Sequence, residues 1–153
     1  MKYTVITIAV AVCVLVASIA VAGTPPAPIY VSNSALGGAA LNGYTPGVAG
    51  GKGTNNIGLL VRTYGVVTYV NSSLKYFYIN DGSNRADGTR RADNAAVLGV
   101  RVSYGDLAGT NVITPPIENS RVAVTGVIST CLVDTLVQPN VRARHQDDLL
   151  LIP

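Results

Sequence analysis

Leu59-Leu60-Val61-Arg62-Thr63-Tyr64-Gly65-Val66-Val67-Thr68-Tyr69-Val70 is an unbroken run of β-prone residues with one glycine in its middle. That run constrains the fold more than any other part of the chain. It is too β-branched and too poorly capped for a helix. A glycine inside a strand marks a bulge or a sharp bend. The run therefore predicts one long strand that bends near Gly65.

The rest of the chain after Ile57 repeats the pattern of strand and turn. Asn71-Ser72-Ser73 is a turn, and Lys75-Tyr76-Phe77-Tyr78-Ile79-Asn80 a second strand. Its alternation sends Phe77 and Ile79 to one face and Tyr76 and Tyr78 to the other. Asp81-Gly82-Ser83 is a turn signal, and Asn84 to Asn94 reads as a polar loop. Leu98-Gly99-Val100-Arg101-Val102 is the third strand, with Leu98, Val100 and Val102 inward and Arg101 outward. Arg121 to Ile128 is the fourth, with Val122 and Val124 on one face, and Asp148 to Ile152 the fifth. Tyr104 to Asn119 contains Pro115 and Pro116 and reads as a loop or one short turn. No stretch after the N-terminal leader combines caps with three turns of 3.6-residue periodicity.

Five strands in this order, the first long and bent, predict an all-β chain built on a five-stranded OB-fold-like barrel. The segments Leu60 to Val67, Tyr76 to Ser83 and Val122 to Val127 resemble the recurring strand pattern of OB-fold domains. Together with Gly58-Leu59-Leu60-Val61-Arg62 and Arg142-Ala143-Arg144-His145-Gln146-Asp147-Asp148, they resemble an OB-like module of secreted bacterial proteins. The resemblance covers residues 56–153. It implies the barrel and an extracellular setting, and it implies no particular activity.

Two segments precede the barrel. Lys2 followed by the apolar run Tyr3 to Ile19 and by Ala20-Val21-Ala22 reads as a signal peptide over residues 1–22, cut after Ala22. A retained membrane-spanning helix is the alternative. Cleavage removes Cys13 and leaves Cys131 as the single cysteine, so no internal disulfide is expected. Cys131 then reads as a small hydrophobe near a strand end, with an intermolecular bridge as its sharper use.

Residues 23–56 form an apolar, Gly/Ala-rich extended arm with eight glycines and one charged side chain, Lys52. Ile29, Tyr30, Val31, Leu36 and Leu41 give it apolar surface that wants cover. It either lies on its own barrel or adds as a strand to a neighbouring molecule. Residues 57–153 are the barrel.

Composition narrows the function. The chain is 48% hydrophobic and 12% charged, which excludes a disordered protein. A net charge of +3 is too small and too scattered to mark a nucleic-acid binder. No catalytic motif is present: there is no G-x-S-x-G, no H-E-x-x-H and no G-x-x-x-x-G-K. His145 with Asp147 and Asp148 reads as a solvated loop. Asp81, Asp87 and Asp93 recur every six residues, but Arg85, Arg90 and Arg91 among them would repel calcium, so local Asp–Arg pairing is expected instead. No metal, cofactor or catalytic residue is assigned.

The strongest binding signal joins aromatic and basic residues. Tyr76, Tyr78 and Arg101 share the outer face of strands two and three, with Arg85, Arg90 and Arg91 in the loop between. In OB folds this surface takes oligonucleotides or oligosaccharides. A cover of the two tyrosines by the arm or by another subunit competes with that use. The expected function is a non-catalytic, exported structural protein. It self-assembles into an extracellular filament or surface layer by strand addition through its arm, with a second copy as partner. The alternative is a monomeric secreted module binding a glycan or single-stranded nucleic acid. The exported setting and near-neutral charge argue against nucleic acid, and membrane contact is expected only through the leader before cleavage.

Overall fold

The computed structural model describes residues 26–105 and 112–153. The expected leader, residues 1–22, lies outside the described residues. Nine strands follow in order: β1 Ile29–Tyr30, β2 Leu60–Asn71, β3 Tyr76–Asn80, β4 Ala86–Arg90, β5 Ala96–Leu98, β6 Val100–Ser103, β7 Arg121–Val133, β8 Leu136–Arg142 and β9 Leu149–Ile152. Single 3-10 turns cover Asn33–Ala35 and Gln146–Asp148.

Five of these strands close a ring. β2 pairs with β3, β3 with β6, β6 with β8, β8 with β7, and β7 again with β2. All these contacts are antiparallel except β6 with β8, which is parallel. Counted along the chain, the ring runs first, second, third, fifth, fourth and back to the first strand. That is the expected all-β, OB-fold-like barrel.

Gly65 shows why β2 can serve two partners. Leu60 to Val66 of β2 face β7, and Val66 to Asn71 face β3. The handover falls at Gly65, where a Cβ would lie 2.7 Å from the carbonyl of Asn80. Only glycine lets the two backbones approach so closely.

Val61, Val67, Phe77, Ile79, Val100, Val102, Val122, Val124, Ile128 and Val141 fill the barrel. They occupy the inward positions of the alternation, as the strand patterns predict.

Three sequence assignments are corrected. The third strand is two strands, split at Gly99, whose φ of 117° is open to glycine and strained for other residues. The split leaves Leu98 facing out from β5, not inward. The fifth ring strand is β8, and the Asp148–Ile152 segment supplies instead β9, an edge strand beside β7. The polar stretch from Asn84 to Asn94 is not a plain loop, because Ala86–Arg90 pairs with Ala96–Leu98 as a hairpin.

The arm lies on its own barrel. Ile29 and Tyr30 run parallel to Val61 and Arg62, and the Val31 N–H donates to the Arg62 carbonyl at 3.1 Å. Leu36 is fully buried in the core. Buried Asn33 fastens the entry: its Nδ2 donates to the Ile79 carbonyl at 2.8 Å, and its Oδ1 accepts from Thr63 Oγ1 at 2.7 Å. Burying an amide costs free energy unless its groups are paired, and here both are. Further on, the Ala49 N–H donates to the Val137 carbonyl at 2.7 Å and hangs the arm's loop on β8.

Candidate functional site

The outer faces of the barrel divide into a covered polar one and an open apolar one.

On the first, alternation along β3 turns Tyr76 and Tyr78 outward, and Arg101 stands opposite Tyr78 on β6. The β4–β5 hairpin then folds over them. The Tyr78 hydroxyl donates to Asp87 Oδ2 at 2.5 Å and lies 2.8 Å from Thr89 Oγ1. Arg101 Nε donates to the same hydroxyl at 3.0 Å, and its Nη2 is 3.9 Å from Asp87 Oδ2. Its guanidinium lies 4.4 Å from the centre of the Tyr76 ring, within cation–π range. Tyr78 and Asp87 are buried. Burial first, and then the Asp87 carboxylate, push the Tyr78 phenol far above the usual tyrosine range.

The cover of Tyr78 is therefore the chain's own hairpin, neither the arm nor another subunit. The expectation of exposed Asp–Arg pairing is corrected at two points. Asp87 is buried with Arg101 from another strand, and Arg91 pairs with Glu118 at 2.5 Å while lying 5.3 Å over the Tyr69 ring. The other loop arginines are also engaged. Arg85 donates to the carbonyls of Leu36 and Ala49, so it fastens the arm. Arg90 donates to the Asn94 carbonyl and closes the hairpin's own turn. Of the six residues expected on a ligand face, Tyr76, Tyr78 and Arg101 come together directly, and Arg91 adjoins them over the Tyr69 ring. Asp87, Thr89 and Tyr69 complete the cluster. No alternation marks Asp87 as buried; its sole sequence signal is a carboxylate on an arginine-bearing loop.

The second face lies over β1, β2, β7 and β9. Tyr64 stands opposite Ala123, and Ala123 opposite Leu150, so one row of side chains crosses three strands. Tyr30 lies beside Arg62 at one margin, and Ile152 beside Arg121 at the other. Tyr30, Tyr64, Leu150 and Ile152 are all exposed. Between them runs an open groove of about 450 Å³, lined by Tyr30, Val31, Arg62, Tyr64, Ala123 and Ile152 among others. β1 and β9 are also the two ends of the seven-stranded sheet. Among the described residues neither has a partner strand on its outer side, and such an edge can accept another strand.

Among the five arm residues, Leu36 is buried and Val31 packs against the core, whereas Ile29, Tyr30 and Leu41 are exposed. Sequence reasoning missed Tyr44, the most exposed large side chain of the arm at 98%.

Among the described residues, no three His, Cys, Asp or Glu side chains converge as metal ligands do. Burial pushes the Cys131 thiol upward, away from the thiolate form a nucleophile needs. Asp148 Oδ2 accepts from the backbone N–H groups of Arg144 and His145, at 2.7 and 3.1 Å, which shapes the turn into β9. Compared with known proteins, the chain matches no family model and no curated protein. Fold does not carry function by itself; these two faces are where the molecule can meet a partner.

Proposed function

We propose that the protein is a non-catalytic structural protein, exported and working outside the cell, that self-assembles into a filament or surface layer through its N-terminal arm. One observation carries this reading: Ile29, Tyr30 and Leu41 of the arm and Leu150 and Ile152 of β9 stand in the open. Tyr30 is 74% exposed and Tyr64 59% exposed, and both line one largely apolar groove. Apolar surface gathered on one face of a small domain marks a contact surface. A contact between unlike surfaces of identical chains does not close, and so it grows. The apolar leader run and its Ala20-Val21-Ala22 end support export.

The alternative, a monomeric module binding glycan through Tyr76, Tyr78 and Arg101, finds less support. A ligand would have to displace the β4–β5 hairpin from a fully paired Tyr78.

Negative-stain electron microscopy of the chain from Gly23 to Pro153 tests the proposal. Removing the whole arm would also remove Leu36 and Asn33 from the core, so substitution is the better comparison. Filaments or sheets are expected from the unaltered chain. Dispersed particles are expected from a variant carrying Ile29→Lys, Tyr30→Lys and Leu41→Lys. Dispersed particles from the unaltered chain across salt and pH would overturn the reading.

A further inference from the structure

The groove on the outer face of β2 has a definite chemical character. Its two charged neighbours each make hydrogen bonds within the chain. Arg62 Nε donates to Thr125 Oγ1 at 2.8 Å. Asp81 accepts the backbone N–H of Asn33 at 2.7 Å and that of Ser83 at 3.0 Å. What remains is apolar and aromatic wall, with room for one large side chain. A charged occupant would lose hydration against the apolar wall that makes up most of the groove. A neutral aromatic ring fits.

The arm carries such a ring on a prepared tip. The Leu41 N–H donates to the Thr45 carbonyl at 3.0 Å. Asn42 Oδ1 accepts from the N–H groups of Tyr44 and Thr45, at 2.8 and 2.9 Å. An Asn side chain bonded in this way holds a turn closed. The turn points Leu41 and Tyr44 into solvent, and residues 26–51 carry no charge. A ring that is 98% exposed packs against nothing of its own chain. To fill its own groove, the tip would have to give up the Ala49–Val137 hydrogen bond that hangs the loop on the barrel. By contrast β1, the other candidate donor, is already bonded to β2 of its own chain.

We propose that the Leu41–Thr45 tip of one copy seats its Tyr44 ring in the groove between Tyr30, Tyr64 and Ile152 of the next copy. This rests on the self-assembly reading and deepens it by naming donor and acceptor. Tip and groove are different surfaces, and each copy carries one of each. The contact is head-to-tail and continues from copy to copy. Tyrosine suits the role, since it brings a large rigid surface at low entropy cost.

The test uses three versions of the chain from Gly23: unaltered, Tyr44→Ser and Ala123→Arg. Circular dichroism melts first establish that each is folded. Assembly is then read by pelleting and electron microscopy. Each variant alone is expected to lose at least about tenfold of the assembled fraction, the scale of a hot-spot residue. Mixed together they are expected to give pairs by sedimentation velocity, and no filaments, because one keeps its groove and the other its tip. If Ala123→Arg does not fold, Tyr44→Ser decides alone. A Tyr44→Ser chain that assembles like the unaltered one overturns this contact and leaves self-assembly standing. An unaltered chain that stays dispersed overturns both.

Discussion

The outer face of β3 and β6 and the outer face of β2, β7 and β9 are built on the same alternation, yet they end in opposite states. The first is polar and aromatic, and the chain's own hairpin closes it. Its hydroxyl, carboxylate and guanidinium are bonded to one another. The second is apolar and stays open, with tyrosine, leucine and isoleucine facing solvent. Residue type alone would assign them the other way, since Tyr beside Arg suggests a ligand surface. What differs is the neighbouring segment: a hairpin folds over one face, and only a two-residue strand flanks the other. A binding surface is identified by what its side chains still lack, and not by which side chains it has.

The largest expected effect breaks the covered face. Arg101→Ala leaves Asp87 buried without its cation and takes one partner from the Tyr78 hydroxyl. Removing one member of a buried charged pair costs about 3–5 kcal/mol. Urea unfolding should show that loss. A loss under about 1 kcal/mol would mean that water reaches Asp87 and that the face is open in solution. The paired replacement Arg101→Met with Asp87→Leu should recover much of the loss, since no charge is left buried.

Leu36→Ala comes next. It tests whether the arm belongs to the barrel or stands free of it. Emptying a fully buried leucine site costs about 2–5 kcal/mol. A near-neutral result by thermal or urea unfolding would mean that the arm is not seated in its own chain. It would also move the donor role from the tip back to the Ile29–Val31 strand.

These two sites show how far the sequence was legible. The bent first strand, the alternation of Phe77 and Ile79, and the Val122 and Val124 stripe all predict the barrel, because inward apolar positions at period two leave little choice. β8 escaped because Gln138-Pro139-Asn140 sits in its middle, and its Gln138 and Asn140 are buried polar residues with no apolar rhythm. A proline also argues against a ring strand. The β4–β5 hairpin escaped for the same reason, since Ala86-Asp87-Gly88-Thr89-Arg90 has no hydrophobic face. The candidate ligand face was legible only in direction. Alternation says that Tyr78 points outward, and it cannot say what lies on top.

A smaller effect concerns the fastening of the arm at Asp81. Burial alone would raise its carboxyl, but hydrogen bonds from Ser83 and from the Asn33 N–H outweigh it and hold it below its ordinary 3.8. A carboxylate depressed in the folded state adds stability above its unfolded value and loses it as pH falls through the folded value. Acidification below about pH 4 should therefore loosen the arm. Comparing urea midpoints at neutral pH and in acid, the unaltered chain should lose more than Asp81→Asn does. Equal losses would show that this carboxylate does not hold the arm.

The smallest expected effect falls on the open face. Leu150→Thr and Tyr64→Thr keep β-branched or β-compatible residues on exposed positions. Dilute protein should change in stability by no more than about 0.5 kcal/mol, the ordinary range for surface substitutions. That contrast with Arg101→Ala is the sharpest form of the comparison between the faces. A large loss would mean that the face is covered in solution, and protein concentration then identifies the cover. Binding of a second copy stabilises the folded chain by mass action, so its contribution grows with concentration. A loss that grows as the protein is concentrated points to a neighbouring copy on the groove, whereas one that is the same at all concentrations points to a segment of the same chain.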